Sequence, residues 1–157
     1  MPPFCPSRAA LPPGEGTPRM RDRRMTQTEP LLFILYVSHN TIPEAELPQE
    51  IARILDASRR NNAAAGITGA LIYSRDSFAQ ALEGPGGEVR ALYRRLSADP
   101  RHADPIILAE REVQQRQFGR WSMAFAGRRD GLDAGALLGG REVEGMLEDG
   151  VSADSPA

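Results

Sequence analysis

The sequence predicts an α+β domain: two helices packed on an antiparallel-rich sheet in the order βαββαβ, with a fifth strand and a C-terminal helical extension. Three observations carry this reading. The runs "LLFILYVS" (31–38), "ITGALIYS" (67–74) and "SFAQALEG" (77–84) are apolar or alternating and of strand length. Between and after them, apolar residues recur at spacings of three and four, as on amphipathic helices. The chain has 157 residues, 41% hydrophobic and 25% charged, which suits one domain with room for a core.

Each element follows from local chemistry. The first strand, 31–38, is a short apolar run with aromatics, the pattern of a buried strand. Pro43 and Pro48 punctuate the next loop, and Pro48 suits a helix's first turn. From there Leu47, Ile51, Ile54, Leu55 and Ser58 form one stripe, and Gly66 ends the helix. The strands 67–74 and 77–84 are separated by Arg75-Asp76, the length of a tight hairpin, although this is not a favoured turn pair. "EGPGGEV" (83–89) lacks the full dinucleotide fingerprint and reads as a turn opening the second helix. That helix places Val89, Leu92, Tyr93 and Leu96 on one face. "DPIILAEREV" (104–113) and "WSMAFA" (121–126) complete five strands. A weaker helical pattern over 130–148 is interrupted by Gly139 and Gly140. The whole is a ferredoxin-like, split βαβ arrangement, an architecture that by itself fixes no function.

Three segments result. Residues 1–30 are rich in Pro, Gly and Arg without apolar periodicity and are expected to be disordered, with Met20 and Met25 offering alternative starts. Residues 31–125 form the domain, and 126–157 a helical extension and tail.

Bulk chemistry excludes several classes. A net charge of -2 argues against nucleic-acid binding. All nineteen basic residues are arginine, so a P-loop has no lysine to offer. The single cysteine, Cys5, precludes a disulfide framework or a cysteine zinc site, and no metal is expected. No apolar run approaches the roughly 18 residues of a membrane span, and the arginine-bearing head has no apolar stretch of a secretory signal. The expected location is the cytoplasm.

Polar residues interrupt the core pattern at Tyr36, Asn62 and Gln80. Gln80 shares a strand face with Phe78 and Leu82, and Asn62 lies seven residues after Leu55 on the core-facing stripe. A primary amide out of water without partners costs about 1–3 kcal/mol, so each needs one. Singly, each has a plain reading: a tyrosine bonded to a carbonyl, a helix cap, a glutamine at a sheet edge. Together, between one sheet face and the first helix, they point to a flat polar ligand, because an amide matches the carbonyl/N–H edge of a heterocycle.

"LYVS" (35–38), "SRRNN" (58–62), "ITGALIYS" (67–74), "FAQALEG" (78–84), "DPRH" (99–102) and "FGRWSM" (118–123) resemble, in order and spacing, the BLUF family of blue-light sensors using flavin. The resemblance covers about 95 residues, Leu31 to Phe125, and the loop before the first helix is about two residues longer than usual. It implies a non-covalent flavin between the two helices: FAD, with FMN or riboflavin sharing the recognised ring. Tyr36 then matches the photoactive tyrosine, and Gln80 the glutamine linking that phenol to the flavin. Asn62 matches the residue at the ring's C4 carbonyl and N3 edge, with Asp99, Arg101 and His102 towards the opposite edge and ribityl chain. Trp121 and Met123 match a signalling pair on the last strand, one packing near the glutamine while the other swings out. The alternative for both is core packing.

The resemblance makes the protein a light sensor, not an enzyme, with the signal leaving through a homo-oligomer or an unidentified downstream protein. Two other classes compete. A small acylphosphatase-like hydrolase needs an arginine loop beside an asparagine, and "SRRNN" supplies the types on a helix end. An RNA-binding sheet needs exposed aromatics and a basic surface.

Overall fold

The computed structural model describes residues 29–130 and 140–153. The elements are β1 (Leu31–Asn40), a single 3-10 turn (Glu44–Glu46), α1 (Leu47–Ala65), β2 (Thr68–Tyr73), β3 (Ser77–Pro85), α2 (Gly86–Ser97), β4 (His102–Val113), β5 (Ala124–Arg128) and α3 (Gly140–Ala153). The strands form one sheet in the order β4-β1-β3-β2-β5. Neighbours are antiparallel except β2 and β5, which run parallel.

The near-continuous apolar run of β1 has a simple cause: both faces of the sheet are covered. Leu32, Ile34, Tyr36, Leu71, Phe78 and Leu82 face α1 and α2, meeting Leu47, Ile51, Leu55, Val89 and Leu92. The alternate residues Phe33, Leu35, Val37, Ile72 and Ala79 belong to a second core with Val143, Leu147 and Val151 of α3. The C-terminal helix therefore covers the sheet's far face.

Gly66 ends α1 at φ 70°, in the left-handed region that glycine adopts without penalty. The Arg75-Asp76 hairpin forms despite its poor turn residues because side chains hold it. Ser74 Oγ accepts from the amides of Asp76 (3.2 Å) and Ser77 (3.0 Å), and Asn40 Nδ2 donates to Ser74 O (3.1 Å).

Several boundaries differ from expectation. β4 begins at His102 and passes Asp104 at φ 52° where its register against β1 shifts; aspartate tolerates that conformation, so the strand continues through it. β5 begins at Ala124, which leaves Trp121 and Met123 in the segment before it rather than on it. The reason is that Asn62 and Arg59 side chains of α1 take the carbonyls of Ser122 and Met123, so that regular pairing with β2 starts only after them. Gly140 is helical and α3 runs to Ala153, past the expected end at 148; Gly139 and the rest of the expected pattern over 131–139 lie outside the described residues. So does most of the expected disordered tail, although Glu29 Oε1 accepts from the Gly87 amide (3.2 Å) at the start of α2.

Candidate functional site

The centre of the sheet builds the site. Gln80 in β3 stands opposite Tyr36 in β1 and Leu71 in β2, all three on the face that α1 and α2 cover. The Tyr36 hydroxyl donates to Gln80 Oε1, and Gln80 Nε2 donates to Met123 Sδ at 3.6 Å. Both residues are buried, Tyr36 at 3% and Gln80 at 4% exposure, so these bonds offset the cost of placing them there. Tyr93 of α2 meets the Tyr36 ring edge-on, with centroids 5.3 Å apart. Burial, aided by Tyr93 and Asp99, pushes the Tyr36 hydroxyl well above the ordinary phenol range. It stays protonated at neutral pH and serves as the donor in this pair.

Asn62 is buried on α1, and its Nδ2 donates to Ser122 O at 2.8 Å. It is not the helix cap, a position taken by Gly66. At the far side, the Arg101 guanidinium binds Asp99 (Nη2 to Oδ2, 2.7 Å) and lies 3.7 Å from Glu50. That contact holds the Asp99 carboxyl below the usual carboxylate range and raises Arg101 in turn. His102 Nε2 faces Leu96 O, which can only accept, so this nitrogen carries a proton. Its Nδ1 lies 2.7 Å from Ser38 Oγ.

Six of the eight expected residues, Tyr36, Asn62, Gln80, Asp99, Arg101 and His102, line one cleft between α1 and α2. The cleft encloses about 140 Å³ and opens to solvent between the two helices. Its walls are apolar (Ile54, Phe78, Leu92, Leu96) and its inner end carries two amides. A flat ring with one polar edge suits that donor set, so the residues present fit a flavin. Met123 reaches the site through its sulfur, whereas half-buried Trp121 packs against the opposite core.

Residues that the sequence reading did not assign to the site also contribute. Ser58 and Asn61 line the cleft beside Asn62, in the same "SRRNN" stretch. Glu83 is fully buried on the other face of β3, and its carboxylate accepts from the amides of Gln117 (2.9 Å) and Phe118 (2.5 Å) and from Thr68 Oγ1 (3.1 Å). It anchors the loop leading to Met123. A charged residue at an apolar strand position was the available signal. Glu83→Gln replaces one acceptor oxygen by a donor facing backbone N–H groups, and is expected to cost about 1–3 kcal/mol, read from the urea midpoint at constant m-value. An unchanged midpoint would show that the loop holds without the carboxylate.

Comparison with known proteins shows the family. The BLUF family model, "Sensors of blue-light using FAD", matches residues 31–124. The chain belongs to the BLUF family. BLUF proteins are flavin-binding blue-light sensors, and this chain is one. It is 36% identical over 90 residues to the photoactivated adenylate cyclase subunit beta of Euglena longa, matching 57% of this chain and 10% of that protein. It is 32% identical over 93 residues to the blue light- and temperature-regulated antirepressor BluF of Escherichia coli, matching 59% of this chain and 23% of BluF. The chain thus spans a tenth to a quarter of these curated relatives. Among solved structures it resembles dark-state BlrB, a BLUF protein (TM-score 0.68, 30% identity, 81% of this chain and 98% of BlrB). It also resembles BlsA in its photo-activated state (TM-score 0.69, 25% identity, 81% of this chain and 99% of BlsA). The hydrolase alternative has no support: Asn61 and Asn62 stand on α1, not in a phosphate-cradling loop. Among the described residues, no helix is long and apolar enough to cross a membrane.

Proposed function

We propose that flavin, as FAD, lies in the α1/α2 cleft without a covalent bond, that Tyr36 is its electron and proton donor, and that Gln80 is the switch. Bound flavin supplies the chromophore and, once excited, an electron acceptor. The Tyr36–Gln80–Met123 chain at the cleft's inner end is the observation that carries this reading. The phenol points its proton at Gln80 Oε1, the route by which it leaves when Tyr36 is oxidised. The two ends of the Gln80 amide differ in hydrogen-bonding sense yet nearly match in shape. Rotation or tautomerisation therefore exchanges donor for acceptor with little displacement. Rotation would turn Oε1 towards Met123 Sδ, which has no proton to give, so the Met123 contact breaks when the switch turns. Asn62 binds the polar edge of the ring, and Asp99, Arg101 and His102 shape the opposite end of the cleft. Met123, with Trp121 beside it, passes the change to a homo-oligomer contact or a downstream protein in the cytoplasm.

The test is the absorption spectrum of the purified protein in darkness and immediately after blue light. A flavin spectrum that moves slightly to the red and reverts in darkness is expected. Bleaching, or no change, would overturn the switch; a colourless protein that cannot be reconstituted with flavin would overturn the site.

A further inference from the structure

The segment 121–123 is neither strand nor helix, yet each of its three carbonyls is held by a different donor. Trp121 O accepts from the Gly69 amide of β2 (3.1 Å), Ser122 O from Asn62 Nδ2 (2.8 Å), and Met123 O from Arg59 Nε (3.1 Å). Asn62 belongs to the cleft already described. Arg59 does not line that cleft, and among the described residues it forms no ion pair. Its neighbours on α1 differ: Arg60 pairs with Asp56 (3.8 Å) and Arg53 with Glu50 (2.5 Å).

Met123 is thereby held at two points. Its sulfur accepts from the Gln80 amide, and its carbonyl accepts from Arg59. Fixing the carbonyl fixes the Cα and, through it, where the sulfur stands relative to Gln80. A small cavity of about 40 Å³ lined by Arg59, Trp121, Ala124, Phe125 and Val151 puts Arg59 where α1, this segment and the end of α3 meet.

We propose that Arg59 is a positioning residue: its guanidinium tethers Met123 O so that the Met123 sulfur meets the Gln80 amide in darkness and stays close when that contact breaks. The inference rests on the switch assigned above. A charge-assisted donor is the strong kind of hydrogen bond, and it is independent of the amide that rearranges. The tether therefore persists through the switch and limits how far the segment travels. Without it, Met123 must find its place again before Gln80 regains its partner, so return to darkness slows.

The test uses flavin-loaded protein and three variants. Arg59→Met keeps the aliphatic stem and removes the donor, Arg59→Lys keeps a cationic donor, and Arg60→Met is the neighbouring control. Expected for Arg59→Met are faster amide hydrogen exchange across 121–125 in darkness and a dark reversion slower by about two- to tenfold. Arg59→Lys is expected to restore most of both, and Arg60→Met to match the wild type. Wild-type exchange and reversion in Arg59→Met would overturn the proposal, as would equal effects in Arg60→Met. If the wild type itself shows no light-induced shift, the switch reading fails, while hydrogen exchange still reports whether Arg59 holds the segment.

Discussion

Tyr36→Phe is expected to keep its flavin and lose the light-induced red shift completely. The ring stays, so packing against Tyr93 and the cleft wall survives. What goes is the hydroxyl, and with it the oxidisable phenol and the donor to Gln80 Oε1. Leaving that buried oxygen without its donor costs about 1–3 kcal/mol, too little to unfold a domain of ordinary stability. Gln80→Leu approaches the same mechanism from the other side. It matches the glutamine roughly in volume but removes both the acceptor for Tyr36 and the donor to Met123. It is expected to bind flavin through the apolar walls and Asn62, and to form no red-shifted state. Both are read by bound-flavin absorbance and the light-minus-dark difference spectrum. A wild-type shift in Tyr36→Phe would remove the phenol from the mechanism, and one in Gln80→Leu would remove the amide.

The second large effect falls on stability. Gly69→Ala is expected to lower the thermal midpoint by roughly 6–12 °C, corresponding to about 3 kcal/mol for a chain of this size. A Cβ at Gly69 would stand 2.2 Å from Ala81 O and 3.2 Å from the Ala81 carbonyl carbon. These are backbone atoms of β3, so no rotamer change relieves the contact and β2 must move away from its partner. Gly69 also donates its amide to Trp121 O, so the displacement reaches the segment that carries Met123. A midpoint within 1 °C of wild type, measured with flavin bound, would show that the β2–β3 pair yields without cost.

Local chemistry made the α1/α2 side of the molecule legible. The stripe from Leu47 to Leu55, the Gly66 stop and the alternation in β3 each depend on residues a few positions apart, and they place Gln80 on the Phe78 and Leu82 face without reference to the rest of the chain. Tyr36 and Asn62 were visible for the same reason, as polar residues where the period demands apolar ones. The beginning of β5 was not legible, because the "WSM" stretch looks like strand until Arg59 and Asn62 occupy its carbonyls from α1. Glu83 as an anchor was equally hidden, since the amides it binds belong to residues 117 and 118.

The sequence by itself determined the split βαβ order, the two-sided burial of β1 and the three polar residues at the centre of the site, all consequences of period and spacing. Only the tertiary structure decided that α3 covers the far face, that Tyr36, Gln80 and Met123 form one chain, and that the segment before β5 hangs from α1 and β2. The side-chain hydrogen bonds among them join groups 43 to 64 residues apart, and the contact of α3 with β1 spans more. Which donor meets which carbonyl at such separations is set by the packed sheet and helices, not by any local pattern.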